Sequence, residues 1–145
     1  MALPTATPRD AAGTLMDDPK ERQEHRIVIE AVAAALTPVC ASLSVPLTPR
    51  PIRSGALIHL GTKVSGRLAS PLSAVEVAGR LHPTPAVGGV PWPGAGGVIR
   101  EIEGFDRGWY AGPVGWMDSA GDGEFAIALR CALLDEQSAT LFAGA

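Results

Sequence analysis

From Ile27 onward, apolar residues return at helical spacing: Ile27, Val28, Val32, Ala35, Leu36 and Val39. That period predicts a helix with one buried face. Its start is marked by Asp18-Pro19. Asp18 can accept from the orphan amides, Pro19 suits the first helical position, and Glu21 stands where a capping box places its carboxylate. Pro38 marks the end. Residues 1–16 show no periodicity and read as an irregular N-terminal arm, which leaves 17–145 for the folded region. Farther on the period falls to two. Ile58, Leu60, Thr62 and Val64 alternate with His59, Gly61, Lys63 and Ser65, the pattern of a single strand. Ser70-Pro71 opens a second helix carrying Leu72, Val75, Val77 and Leu81, and a short helix is expected near Val98 to Ile102. Beyond Gly108 the chain reads as an antiparallel meander. WYAGPVGWMD, EFAIALRCALL and ATLFAGA form its strands, with a turn at Asp122-Gly123.

Strands in succession with helices to cover them predict an α+β fold, an antiparallel β-sheet with packed helices. The last strand stops at AGA without turn, cap or polar tail, so the chain reads as interrupted.

Composition narrows the function classes. Hydrophobic residues make up 46% and charged residues 19%, which fits a globular core rather than disorder. No run approaches the roughly 20 apolar residues of a membrane span, and no signal peptide is readable, so a cytoplasmic location is the expectation. The net charge is −3 with scattered basic residues, which argues against nucleic-acid binding. Cys40 and Cys131 cannot build a four-ligand zinc site alone, and their apolar neighbours suit reduced, buried thiols. The 17 glycines and 13 prolines punctuate apolar segments instead of forming one linker, as many tight turns would require.

Several residues could carry chemistry. Glu21, Glu24 and His25 share one side of the first helix. The two carboxylates suit a hard cation such as Mg²⁺, or they form a solvated face paired with Arg22 and Arg26. His59, on the polar side of its strand, is a proton donor, a cleft ligand or a structural histidine. In Leu81 to Gly89 two prolines stiffen the backbone and two glycines allow close approach, which suits a pocket floor or a tight crossover. Arg130, read as a strand residue with Ala128 and Ala132 on its own face, needs an anion. That anion is a ligand carboxylate or a buried protein carboxylate. Tyr110, read on the adjacent strand, bonds the same anion or fills the core.

Taken together, DDPKERQEH, IHLGT, LHPTPAVGG, DRGWYAGPVGWMD, GDGEF with ALRCALL, and LFAGA resemble the chorismate-binding enzymes in identity and order. That family includes anthranilate synthase component I, salicylate synthase and isochorismate synthase. The LHPTPAVGG loop looks like the isochorismate synthase version. The resemblance implies a partial chorismate-binding domain, truncated at both ends, and a Mg²⁺-dependent isomerisation of chorismate. It implies that Glu24 binds Mg²⁺ directly, with Glu21 in or just outside its shell, and that the metal grips the ring carboxylate. It places Ala86 and Val87 beside the ring, Tyr110 and Arg130 on the enolpyruvyl carboxylate, the Gly144 backbone against the substrate, and His59 as the active-site histidine. Thr5 stands where the family has glycine. The family's basic lysine and acidic glutamate fall upstream of the matched region, and its second pair of metal-binding glutamates falls beyond Ala145. No activity is therefore expected of this chain alone, and a monomer is expected at full length. A non-catalytic binding module and another chorismate-utilising enzyme, such as a salicylate synthase, are the alternatives.

Overall fold

The computed structural model describes residues 8–55 and 57–143. Met1–Ala69 and Ser70–Ala145 form two compact units, each with its own helices and antiparallel ribbons. The mixed helix and antiparallel-strand architecture is the α+β class that the patterning implies. The strands do not merge into one sheet, however. Among the described residues they make four separate two-stranded pairs.

In the first unit, α1 (Pro8–Asp17) and α2 (Pro19–Leu36) are joined at Asp18. Asp18 accepts from the amides of Lys20 (2.8 Å) and Glu21 (3.2 Å), with Pro19 at the first helical position. The aspartate cap supplies acceptors for amides that no preceding turn can satisfy. The helix α1 corrects the irregular-arm reading for residues 8–16, while residues 1–7 lie outside the described ones. Pro8 at its first position and the small helix-forming Ala11 and Ala12 support it, and α1 packs against the strand pair below. After α2, a short 3-10 turn (Thr37–Val39) leads into β1 (Cys40–Ser44), which pairs with β4 (Ser65–Leu68). Between them lies a hairpin of β2 (Arg50–Ser54) and β3 (Leu57–Gly61). The single strand expected from Ile58 to Ser65 is thus divided between two strands with different partners. Neither β1 nor β2 announces itself in the sequence. β2 contains Pro51, which removes a ladder donor and suits an edge strand.

The second unit begins with α3 (Ala74–Leu81), closed by a complete capping box: Ser73 N donates to Glu76 Oε2 (2.8 Å) and Glu76 N to Ser73 Oγ (3.4 Å). One turn, α4 (Pro85–Gly88), and α5 (Gly94–Glu103) follow. Gly104, at φ 67°, ends α5 in the left-handed conformation that favours glycine. β5 (Pro113–Met117) and β6 (Gly123–Ile127) pair antiparallel around a turn in which Asp118 Oδ1 accepts from Ala120 and Asp122. The helix α3 packs on this pair, and Ala74 N donates to Gly121 O (2.8 Å). β7 (Cys131–Leu134) and β8 (Ala139–Phe142) form the last ribbon.

The strand expected across EFAIALRCALL is therefore broken. Ala128 still exchanges hydrogen bonds with the opposite segment, its N to Gly112 O and its O from Ala111 N, both 2.9 Å. Arg130 then takes φ 50° and turns the chain into a new ribbon. Left-handed backbone in a non-glycine residue costs on the order of 1–2 kcal/mol, so the surrounding hydrogen bonds must hold it.

Apolar burial is sparse. Among the described residues only Gly88, Gly96 and Ala111 are buried, and no large side chain is fully enclosed. Leu134 (72%) and Leu141 (78%) lie open on the last ribbon. No described helix is long and apolar enough to cross a membrane. Cys40 and Cys131 are free and half-buried.

Candidate functional site

The two groups of candidate residues fall in different units. In the first, Glu21 and Glu24 lie one turn apart on α2. Glu24 is exposed and paired with Lys20 at 2.7 Å, a contact that holds the Lys20 ammonium above its ordinary pKa. Glu21 is half-buried. His25 does not join the carboxylates: its Nε2 meets Thr62 Oγ1 at 2.8 Å, and burial lowers its pKa. His59 stands exposed on β3, opposite Ile52 of β2, while its neighbours Ile58 and Leu60 are half-buried.

No group of three or more His, Cys, Asp or Glu side chains that could hold a metal ion exists among the described residues. Magnesium, however, is commonly held by one or two carboxylates, with waters and ligand oxygens completing the shell. Glu21 and Glu24 on one helical face fit that smaller role. The exposed Lys20 competes only weakly, because an ion pair in water is worth little.

In the second unit the candidates converge. A cavity of about 620 Å³ is lined by Ala86 and Val87 of α4, by Tyr110 from the 108–111 turn, and by Phe142 and Ala143 at the end of β8. Tyr110 is not on a strand as expected. It sits in a tight turn where its amide donates to Arg107 O (2.8 Å), and its ring stacks on Phe142 with centroids 5.1 Å apart and planes 8° off parallel. The turn includes Ala111 at φ 65°, a buried residue pinned by its bond to Ala128 O.

Arg130 is absent from this lining. It is exposed at the break between β6 and β7, and it has no ion pair among the described residues. The strand environment with flanking alanines is therefore corrected: the positive φ takes Arg130 out of the ladder. Its freedom from a protein carboxylate leaves the guanidinium available to a ligand. Gly144 lies outside the described residues.

Two residues at this cavity escaped the sequence reading. Arg107 Nε and Nη2 donate to the two oxygens of Glu103 at 2.7 and 2.6 Å, and Nη1 donates to the Val87 carbonyl at 2.8 Å. The guanidinium carbon lies 5.6 Å from the centre of the Tyr110 ring. The contact with Arg107 holds the Glu103 carboxyl below its ordinary range and raises Arg107 in turn. The only linear signal was the spacing of a carboxylate and an arginine around Gly104.

Residues 5–145 match the family described as chorismate binding enzymes. Isochorismate synthase DhbC of Bacillus subtilis is 47% identical over 135 residues, covering 92% of this chain and 34% of that protein. Isochorismate synthase EntC of Escherichia coli is 42% identical over 137 residues, covering 94% of this chain and 35% of that protein. Among solved structures, the Bacillus anthracis protein described as a 2,3-dihydroxybenzoate-specific isochorismate synthase, DhbC, has a TM-score of 0.80 at 49% identity. The match covers 83% of this chain and 32% of that one. MenF, the menaquinone-specific isochorismate synthase of Escherichia coli, has a TM-score of 0.73 at 33% identity over 83% of this chain and 28% of that one. The chain thus spans about a third of the length of the relatives it matches. With the family match reaching from residue 5 to 145 and the fold shared with solved isochorismate synthases, the chain belongs to the chorismate-binding enzyme family.

Proposed function

We propose that this chain supplies part of the substrate pocket and part of the Mg²⁺ site of an isochorismate synthase, the isomerase that converts chorismate to isochorismate. The observation that carries the reading is the cavity of about 620 Å³ where Ala86, Val87 and Tyr110 meet, on a chain so similar to isochorismate synthases. Its small-residue floor suits a flat ring laid against it. The Tyr110 hydroxyl can donate to a ligand carboxylate, and the exposed Arg130 guanidinium can form a two-point contact with one. By the resemblance Gly144 would lie against the substrate, and exposed His59 can donate or accept at a hydroxyl. Glu24 and Glu21 would hold Mg²⁺, which when bound neutralises a substrate carboxylate. The matched region, residues 5–145, would form part of the chorismate-binding domain, and the whole enzyme would be a cytoplasmic monomer feeding menaquinone, siderophore or salicylate synthesis.

Neither the lysine nor the glutamate that the resemblance assigns as base and acid is present in this chain. We therefore assign it binding without turnover when alone. The decisive experiment compares the 145-residue chain with a version carrying its flanking sequence to the relatives' length. Chorismate consumption should be absent in the first and Mg²⁺-dependent in the second, and Glu24→Gln should remove most of it. Turnover by the short chain would refute the missing acid and base. Full activity of the Glu24→Gln enzyme at low Mg²⁺ would remove Glu24 from the metal shell.

A further inference from the structure

Arg107 has no part in the chemistry above, yet it ties together segments far apart in sequence. Gly104 reverses the chain after α5, so Arg107 returns to grip Glu103, the last residue of that helix, with two parallel hydrogen bonds. Its third nitrogen reaches the main-chain carbonyl of Val87, 20 residues earlier. Its guanidinium carbon lies over the ring of Tyr110, which in turn stacks on Phe142. One side chain thereby links α5, α4, the 108–111 turn and β8. The pair is only 28% and 26% exposed, unlike a surface ion pair held loosely in water. The planar fork can satisfy two carboxylate oxygens and a carbonyl at once, which a lysine ammonium on a flexible stem cannot reproduce.

We propose that Arg107 is a positioning residue that sets the floor (Val87) and the wall (Tyr110) of the 620 Å³ cavity, and thereby the affinity for a cyclic carboxylate ligand. Each of its three nitrogens already donates within the protein, so it acts through Val87 and Tyr110. The identity of the ligand rests on the isochorismate synthase reading, whereas the clasp itself does not.

The test uses the full 145-residue chain in solution, as wild type, Arg107→Lys and Glu103→Gln, below the melting midpoint of each. Three quantities are read by NMR: the Val87 carbonyl ¹³C shift, the Tyr110–Phe142 ring NOE, and the chorismate affinity from the Ala86 and Val87 methyls. Arg107→Lys should move the carbonyl shift, weaken the ring NOE and reduce chorismate affinity about tenfold, as loss of charge-assisted hydrogen bonds implies. Glu103→Gln, which spares the Val87 bond, should give a smaller change in all three. If Arg107→Lys does not fold, Glu103→Gln decides on the same readouts. An unchanged Val87 carbonyl and ring NOE would overturn the proposal, as would altered geometry with wild-type affinity. If the wild-type chain shows no chorismate response, the functional reading falls instead, and the carbonyl and NOE still decide whether Arg107 sets the wall.

Discussion

Lys20–Glu24 on α2 and Arg107–Glu103 after α5 have the same four-residue spacing and nearly the same contact distance, 2.7 and 2.6 Å. They differ in nearly everything else. The first pair stands 75% and 60% exposed and has no further structural duty. The second is mostly shielded and extends to a backbone carbonyl and an aromatic ring. The first leaves its carboxylate free to exchange partners. The second removes its carboxylate from chemistry and uses it to hold a shape. Spacing along the chain cannot separate these roles, because what separates them is the surrounding surface.

The largest break in the comparison should come from the β5–β6 ladder, which lies in the same unit as the second pair. At Gly115 an added Cβ would collide with the Glu124 backbone across the β5–β6 ladder, which has no flexible side chain to yield. Gly115→Ala should cost ~3 kcal/mol by overpacking. In hydrogen exchange the second unit should open while the α2 face keeps its protection, and equal loss in both units would overturn this expectation.

A smaller effect separates the pairs directly. Glu103→Gln should lower the melting midpoint of the second unit, whereas Lys20→Met should leave that of the first unchanged within error. Residue-resolved thermal unfolding reads both. A larger loss from Lys20→Met would reverse the assignment of fixed and labile pairs.

The smallest effect is a difference in pH response. Burial lowers folded His25 below its ordinary value of 6.5, so as the pH falls the unfolded chain takes the proton first. The first unit should keep this contribution above 6.5 and lose it as pH drops through the folded pKa. Arg107 likewise depresses folded Glu103 below 4.5, so that contribution persists above 4.5 and is lost as pH falls through the folded value. Glu76 and Asp135 in the same unit are lowered by their own serine contacts, so the Glu103→Gln chain is needed to isolate the clasp. Hydrogen exchange should show the first unit weakening before the second. Simultaneous weakening that survives both Glu103→Gln and His25→Gln would exclude these groups as the cause.

Local signals were legible where local chemistry determines the outcome. Asp18-Pro19 began α2 as read, because a cap and a helix-compatible proline act within one turn. Ala86, Val87 and Tyr110 were singled out by motif, and all three line one cavity. The irregular reading of residues 8–16 failed because α1 gains from packing on β2 and β3, partners that Pro8 and its neighbours do not reveal. Arg130 was misread as a strand residue because alternation looked continuous across it. Its positive φ comes shortly after Ala128, whose bonds to Ala111 and Gly112 reach another segment.

By itself, then, the sequence determined the Asp18 cap of α2, the turn at Asp122-Gly123 and the family motifs. Each is set by residues within a few positions of one another or by their order along the chain. Tertiary structure alone decided which strands pair, where the strand expected over EFAIALRCALL breaks and which of two equally spaced ion pairs is structural. The carbonyl that fixes Arg107 belongs to Val87, and the ring that backs Tyr110 belongs to Phe142. Such partners become neighbours only when distant segments fold together, and the shielding that distinguishes the two ion pairs arises at the same step.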